Sequence, residues 1–153
     1  MRGWRGTELT LKEENMTIAV DFDGTIVQHK YPEIGRELPF ATATLRQLQR
    51  DLPDLKVILW TIRDGKLLQE AVDWCRERGV EFYAVNSNYP EELPLQSECG
   101  CRKVTADVYI DDRNLGGLPD WPTIYRRVLR HAGRDVPEAA PEKKGFFSRL
   151  MGK

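Results

Sequence analysis

Two aspartates end a short apolar run near the beginning of the sequence. Residues 18–25 read Ile-Ala-Val-Asp-Phe-Asp-Gly-Thr, so Asp21 and Asp23 stand two positions apart. In an extended chain, side chains two positions apart project to the same side, and two carboxylates held that close repel each other. A divalent cation or a shared proton relieves such repulsion. Gly24 and Thr25 allow a sharp turn and are expected to offer bare N–H groups to an anion, so the segment predicts metal-assisted phosphoryl transfer.

A second pair of acids, Asp111 and Asp112, follows another apolar run, and Thr61 follows a third. These runs are short and rich in β-branched or aromatic residues, which predicts four buried strands at residues 16–20, 55–60, 82–85 and 106–110. Strands that alternate with helices predict an α/β fold with a parallel sheet covered on both faces. Because ligands of such sheets bind beyond the carboxyl ends of the strands, we expect these acids and Thr61 to meet there.

Apolar residues recur at helical spacing in three further segments. They predict helices from Ala41 to Leu52, from Asp64 to Arg78 with Gly79 as the stop, and roughly from Pro122 to His131. Residues 24–39 contain Pro32, Gly35 and Pro39 among mixed residues, which predicts a loop or a small hairpin flap around residues 28–38. No large insertion follows Thr25 or Thr61, so one domain over residues 16–132 is expected.

The two ends of the sequence differ from this region in composition. Residues 1–15 are polar and charged and predict a flexible leader, unless Met16 is the true start. Residues 133–153 predict a linker rich in Pro, Ala, Glu and Lys, followed by a short amphipathic tail that includes Phe146 and Leu150. Such a tail either stays loose or docks on its own domain, or it binds a partner or a membrane surface.

Composition excludes several classes of protein. The net charge of −1 provides no basic field, so general nucleic-acid binding is not expected. No apolar run approaches the roughly 20 residues of a transmembrane helix, and residues 1–15 lack the apolar centre of a signal peptide. Three cysteines cannot all pair, which favours the reducing cytoplasm. Cys99 and Cys101 are interpreted as loop thiols, with a zinc site as the alternative.

The four segments together resemble the motifs of the haloacid dehalogenase superfamily, most of whose members are phosphatases. In motif order, the matching residues are Asp21-Phe22-Asp23-Gly24-Thr25, Thr61, Lys103 and Tyr109-Ile110-Asp111-Asp112-Arg113-Asn114. The resemblance covers about residues 16–132. It implies a Rossmann-like three-layer sandwich with a mainly parallel sheet and no large cap domain. Lys103 stands eight positions before Asp111, an interval that is longer in many relatives.

The resemblance also implies an activity, that of a Mg²⁺-dependent phosphomonoester hydrolase with an aspartyl-phosphate intermediate. Asp21 would be the nucleophile, and Asp23 would serve as general acid and then general base. Thr61 and Lys103 would hold the phosphoryl oxygens.

Further contacts follow from the same resemblance. Gly24 and Thr25 would also contact the phosphate. The Mg²⁺ ligands would be Asp21, the backbone carbonyl of Asp23 and Asp111, with Asp112 supporting the bound waters or Lys103.

Other interpretations stay open beside this one. The chain could be a phosphate- or metal-binding adaptor that keeps the fold and is recruited through its tail, or a phosphotransferase. The identity of the phosphorylated substrate is not encoded in these motifs, and a homo-oligomer or a tail-mediated partner is compatible with them. Arg63 is interpreted as structural, and His29 and Tyr31 as exposed flap residues within reach of a substrate.

Overall fold

Four parallel strands form the sheet of this computed structural model, which describes residues 15–90 and 103–137. The strands are β1 (Thr17–Val20), β2 (Lys56–Leu59), β3 (Ala84–Val85) and β4 (Val108–Ile110), in the order β3-β2-β1-β4. Strand β1 pairs with β2 from Thr17 opposite Lys56, and with β4 from Ile18 opposite Val108. The four predicted strands are confirmed, although the paired segments are shorter than the apolar runs.

Three helices connect or follow these strands, as predicted: α1 (Ala41–Asp51), α2 (Gly65–Glu77) and α3 (Trp121–His131). Asp64 and Arg78 are the caps of α2, and Gly79 after them adopts a φ of 77°, a left-handed conformation that ends helices. Helix α3 begins where the Asp120 carboxylate accepts a hydrogen bond from the Thr123 N–H at 2.9 Å.

Each face of the sheet buries its own cluster of side chains. Ile18 and Val20 of β1, with Val57 and Leu59 of β2, pack against residues from all three helices. The alternate residues of the strands face the other way, where Ala19 and Ile58 pack with Ala84 and Val104. The α/β fold with a parallel sheet is therefore confirmed, and the three described helices all pack on the face that carries Ile18 and Val57.

The connection from β1 to α1 contains a small hairpin flap. The Gln28 N–H donates to the Arg36 carbonyl at 2.8 Å, and the Leu38 N–H donates to the Ile26 carbonyl at 2.9 Å. The connection from β2 to α2 is only residues 60–64. Neither connection holds a cap domain, so the predicted fold class, an α/β Rossmann-like sandwich with a parallel sheet and no large cap, is confirmed.

Some sequence-based predictions fall on segments outside the described residues. These are residues 1–14 of the predicted leader, the predicted loop thiols Cys99 and Cys101, and the amphipathic tail. Among the helices that are described, none combines the length and the apolar character that a membrane crossing requires.

Candidate active site

Three carboxylates from two strand ends meet at the edge where the strands terminate. Asp21 follows β1, and Asp111 and Asp112 follow the neighbouring strand β4. One oxygen atom from each of these half-buried residues lies within 4.8 Å of the other two. Carboxylate oxygens are the ligands that hard cations such as Mg²⁺ prefer. The expected convergence of these acids is confirmed, and the three residues fit a divalent cation.

The fold changes the protonation of Asp21. Burial raises the pKa of Asp21 to about 7, and the charge of Asp111 adds to the rise. Hydrogen bonds from the Phe22 N–H and the Thr25 hydroxyl act in the opposite direction on this pKa. Because a nearby positive charge favours the ionised carboxylate, a bound cation would lower this pKa again.

Thr25 joins the two loops that carry the acids. Its hydroxyl donates to the Asp21 carboxylate at 3.2 Å and accepts from the Asp112 N–H at 3.0 Å. The Trp121 indole N–H donates to the Thr25 carbonyl at 3.0 Å, which ties the same turn to α3. Thr25 thus positions both acids, a role that a hydroxyl between two strand ends can perform and that the sequence analysis did not assign to it.

The N–H groups of the turn after Asp23 have partners inside the turn. Gly24 donates to the Val27 carbonyl at 2.7 Å, and Thr25 donates to the Phe22 carbonyl at 3.3 Å. The expectation that these two groups are bare is therefore wrong, because the chain turns tightly enough to satisfy them itself. Whether Gly24 and Thr25 contact a phosphate stays a prediction.

His29 reaches from the flap to the acid cluster. Its Nε2 atom lies 2.9 Å from the Asp112 carboxylate, although more than half of the His29 side chain is exposed. Gly24 lies directly beneath this pair: it has a φ of 85°, and a Cβ atom there would collide with both His29 and Asp112. The contact between the flap and the loop that carries Asp112 was not predicted, since an isolated histidine in a loop carries no spacing signal.

Arg63 forms a buried ion pair with Asp23. The Nε and Nη2 atoms donate to the two carboxylate oxygens of Asp23, each at 2.7 Å, and 0% of the Arg63 side chain and 8% of the Asp23 side chain are exposed. The remaining donors reach the flap, where Nη1 bonds the Pro32 carbonyl at 3.0 Å and Nη2 bonds the Glu33 carbonyl at 2.9 Å. The guanidinium therefore joins the turn after β1, the flap and the connection between β2 and α2.

This pair has a consequence for the predicted role of Asp23. Both of its oxygens accept charge-assisted hydrogen bonds from Arg63. This bonding is the largest cause of the raised pKa of Arg63. Asp23 would have to leave Arg63 before it could transfer a proton to a substrate. Its acid–base role and its backbone carbonyl as a metal ligand stay predictions. The interpretation of Arg63 as structural agrees with its contacts, but its partner could not be identified from spacing alone.

Thr61 and Lys103 occupy different surroundings. The Thr61 N–H donates to the Asn86 side-chain oxygen at 2.8 Å, and its hydroxyl oxygen accepts from the Arg63 N–H at 3.2 Å. The hydroxyl proton is not used by that bond and is available to an anion. Lys103 is exposed, with its Nζ atom 5.1 Å from the centre of the Tyr109 ring. Phosphate binding by Thr61 and Lys103 stays a prediction.

Comparison with known proteins identifies a relative among solved structures. No protein-family model and no curated protein matches the chain. A conserved protein coded by a locus from Bacteroides thetaiotaomicron matches with a TM-score of 0.67 and 56% sequence identity. The match covers 75% of this chain and 90% of the other. The chain therefore belongs to the same family as the Bacteroides protein.

Proposed function

We propose that this protein is a Mg²⁺-dependent phosphomonoester hydrolase of the haloacid dehalogenase type, with Asp21 as its nucleophile. The observation that carries the proposal is the convergence of Asp21, Asp111 and Asp112 within 4.8 Å at the carboxyl edge of a parallel sheet. A purely structural role for these acids would hold three carboxylates close together, an arrangement that costs stability because they repel each other.

The reaction proceeds in two displacements. An oxygen of Asp21 attacks the phosphorus atom, and the ester P–O bond breaks with its electron pair on the leaving oxygen, which accepts a proton from Asp23 or from water. Water then attacks the phosphorus of the aspartyl phosphate, and the P–O bond to Asp21 breaks, which restores the carboxylate and releases inorganic phosphate. The proton of the attacking water goes to Asp23 or to bulk water, whichever supplied the first proton. When bound, the Mg²⁺ ion would neutralise charge on the phosphoryl oxygens.

The surroundings of Asp21 suit this role. Thr25 holds one of its oxygens, which limits the rotation of the carboxylate. A dianionic substrate would be repelled by three acids alone, so positive charge is required at the site. The cation, together with Lys103 from the connection before β4, would supply that charge, while the hydroxyl of Thr61 would donate to a phosphoryl oxygen.

The proposal is tested by the hydrolysis of p-nitrophenyl phosphate with and without Mg²⁺. We expect Asp21→Asn to lower kcat by on the order of 10³-fold or more, because the amide is a poor nucleophile. Asp54→Asn is the matched control: it makes the same chemical change at an exposed residue just before β2, at the opposite edge of the sheet. Equal rates for wild type and Asp21→Asn would refute the proposal.

The same assay separates the other interpretations. An adaptor that only binds phosphate would show no Mg²⁺-dependent turnover. A phosphotransferase would convert part of the substrate into a new ester when an alcohol acceptor is added, whereas a hydrolase would release inorganic phosphate throughout. A cytoplasmic location belongs to the proposal, since three cysteines cannot all pair, which favours a reducing compartment.

A further inference from the structure

Large apolar side chains are exposed at one end of the molecule. Among the described residues, all five exposed large apolar side chains lie on connections that leave the carboxyl ends of strands. They are Tyr31 and Phe40 after β1, Ile62 after β2, Tyr89 after β3 and Leu115 after β4. We call these five residues the apolar rim. Every strand of the sheet contributes to it.

Such exposure is unfavourable unless something covers it. Ile62 is 87% exposed and Leu115 is fully exposed, although aliphatic side chains of this size are usually buried. Phe40 is 64% exposed and has a φ of 67°, a backbone conformation that a bulky residue rarely adopts. Strained or exposed positions of this kind cluster at binding sites.

Some rim residues stand close in the sequence to residues of the candidate active site. Ile62 follows Thr61 directly, and Leu115 lies in the same connection as Asp111 and Asp112. Tyr31 lies beside the buried pair, with its ring centre 5.4 Å from the Arg63 guanidinium carbon. A molecule that placed its phosphate at the acids would therefore meet rim residues with its remaining atoms.

We infer that the apolar rim binds the organic group of the substrate, which is a phosphate monoester of an apolar alcohol or phenol. This inference rests on the proposed phosphatase function and adds the substrate class to it. The Arg63 guanidinium does not argue for a polar substrate, because its bonds run inward to Asp23, Pro32 and Glu33. The β2 connection instead offers the substrate the side chain of Ile62.

The test compares n-alkyl phosphates from ethyl to octyl with glycerol phosphate, at fixed Mg²⁺ concentration. The leaving alcohols of the alkyl series have nearly the same acidity, so a change in rate along it reports apolar contact and not leaving-group chemistry. We expect kcat/KM to rise roughly two- to fourfold for each added methylene group, over several such groups. The lower factor corresponds to partial burial of the methylene group and the higher factor to its full burial. Glycerol phosphate, similar in size to the short esters, is expected to be among the poorest substrates.

Variants of the rim connect this trend to named residues. Ile62→Ser and Leu115→Ser should each flatten the increase of kcat/KM with chain length. Ile62→Met, which keeps an apolar side chain of similar volume, should preserve the increase. A flattened series in the serine variants beside a preserved series in Ile62→Met supports the inference.

Three results would overturn it. Hydrolysis at a rate that does not depend on chain length would refute the apolar substrate and leave the phosphatase function standing. A wild type that sediments as a dimer at assay concentration, with Ile62→Ser as a monomer, would assign the rim to contact between two copies. Absence of turnover with every phosphate ester would refute the proposed function and this inference together.

Discussion

The guanidinium of Arg63 binds both oxygens of Asp23 at 2.7 Å across 40 residues of sequence, and both side chains are withdrawn from solvent. The pair connects the turn after β1 with the connection after β2, and two flap carbonyls complete the bonding of the arginine. A charge buried in this way is stable only with its partner, because its hydration has been lost. The pair is therefore a structural requirement of the turn that carries Asp21.

We expect Arg63→Gln to lower the free energy of unfolding by about 3–5 kcal/mol, because it leaves the Asp23 carboxylate buried without its counterion. Urea denaturation measures this change. Arg76→Gln is the matched control, since Arg76 forms a 2.7 Å pair with Asp73 on the exposed side of α2 and should cost less than about 1 kcal/mol. The double variant Asp23→Asn/Arg63→Gln should lose less stability than the sum of its two single variants. Strict additivity would contradict the coupling.

Without metal, Asp21→Asn is expected to be more stable than the wild type, by a margin that increases with pH. The pKa of Asp21 is about 7 in the folded protein, against an ordinary value of 3.8, so the protonated form favours folding. That contribution is complete below pH 3.8 and is lost as the pH rises through 7. The stability difference between Asp21→Asn and wild type should therefore grow by about 1–3 kcal/mol between pH 4.5 and 8.

Urea titrations in EDTA at several pH values would measure this difference. Asp54→Asn, an exposed acid changed in the same way, should show a difference from wild type that varies little with pH. A constant difference for Asp21→Asn across the range would show that the burial of Asp21 does not perturb its titration.

Mg²⁺ is expected to raise the melting temperature of the wild type, because a ligand that binds the folded state alone stabilises it. At 100 times the dissociation constant the gain is about 2.7 kcal/mol, which corresponds to several degrees for a domain of this size. Asp111→Asn should abolish most of the gain and EDTA should reverse it, while Asp54→Asn should respond as the wild type does. A response that NaCl at equal ionic strength reproduces would indicate screening and not a metal site.

The sequence predicted the elements and the acids better than the contacts among them. A short β-branched apolar run and helical spacing locate β1 and α2 within a few residues, because burial determines both patterns. The meeting of Asp21 with Asp111 followed from the parallel sheet, since strand ends share an edge. The partners of Asp23 and Asp112 did not follow, because the paths of the flap and of the β2 connection depend on side-chain packing that has no period.

Gly24→Ala should disturb the site more than a backbone penalty alone would. Gly24 and Gly117 both have positive φ values, 85° and 79°, so alanine is strained at each by about 1–2 kcal/mol. A Cβ atom at Gly117 meets nothing within 4 Å, whereas one at Gly24 collides with His29 and Asp112. Gly24→Ala should therefore lose more stability than Gly117→Ala and should also weaken Mg²⁺ binding, as titration calorimetry would measure. Equal effects of the two variants would mean that the His29–Asp112 pair moves aside freely.

Asp23→Asn distinguishes a proton donor from a purely structural carboxylate. An alkyl ester needs a proton on its leaving oxygen, whereas p-nitrophenolate is a stable anion and leaves without one. If Asp23 parts from Arg63 during turnover, Asp23→Asn should lower kcat for ethyl phosphate by about 10²–10⁴-fold and for p-nitrophenyl phosphate much less. If the pair stays closed, both substrates should be affected to the same extent, through the displaced turn.

Arg63→Gln serves as the comparison, because it removes the partner while the carboxyl group at residue 23 is kept. A loss in Arg63→Gln that is equal for both esters, beside a selective loss in Asp23→Asn, would assign proton transfer to Asp23 and leave Arg63 with the task of holding it between turnovers.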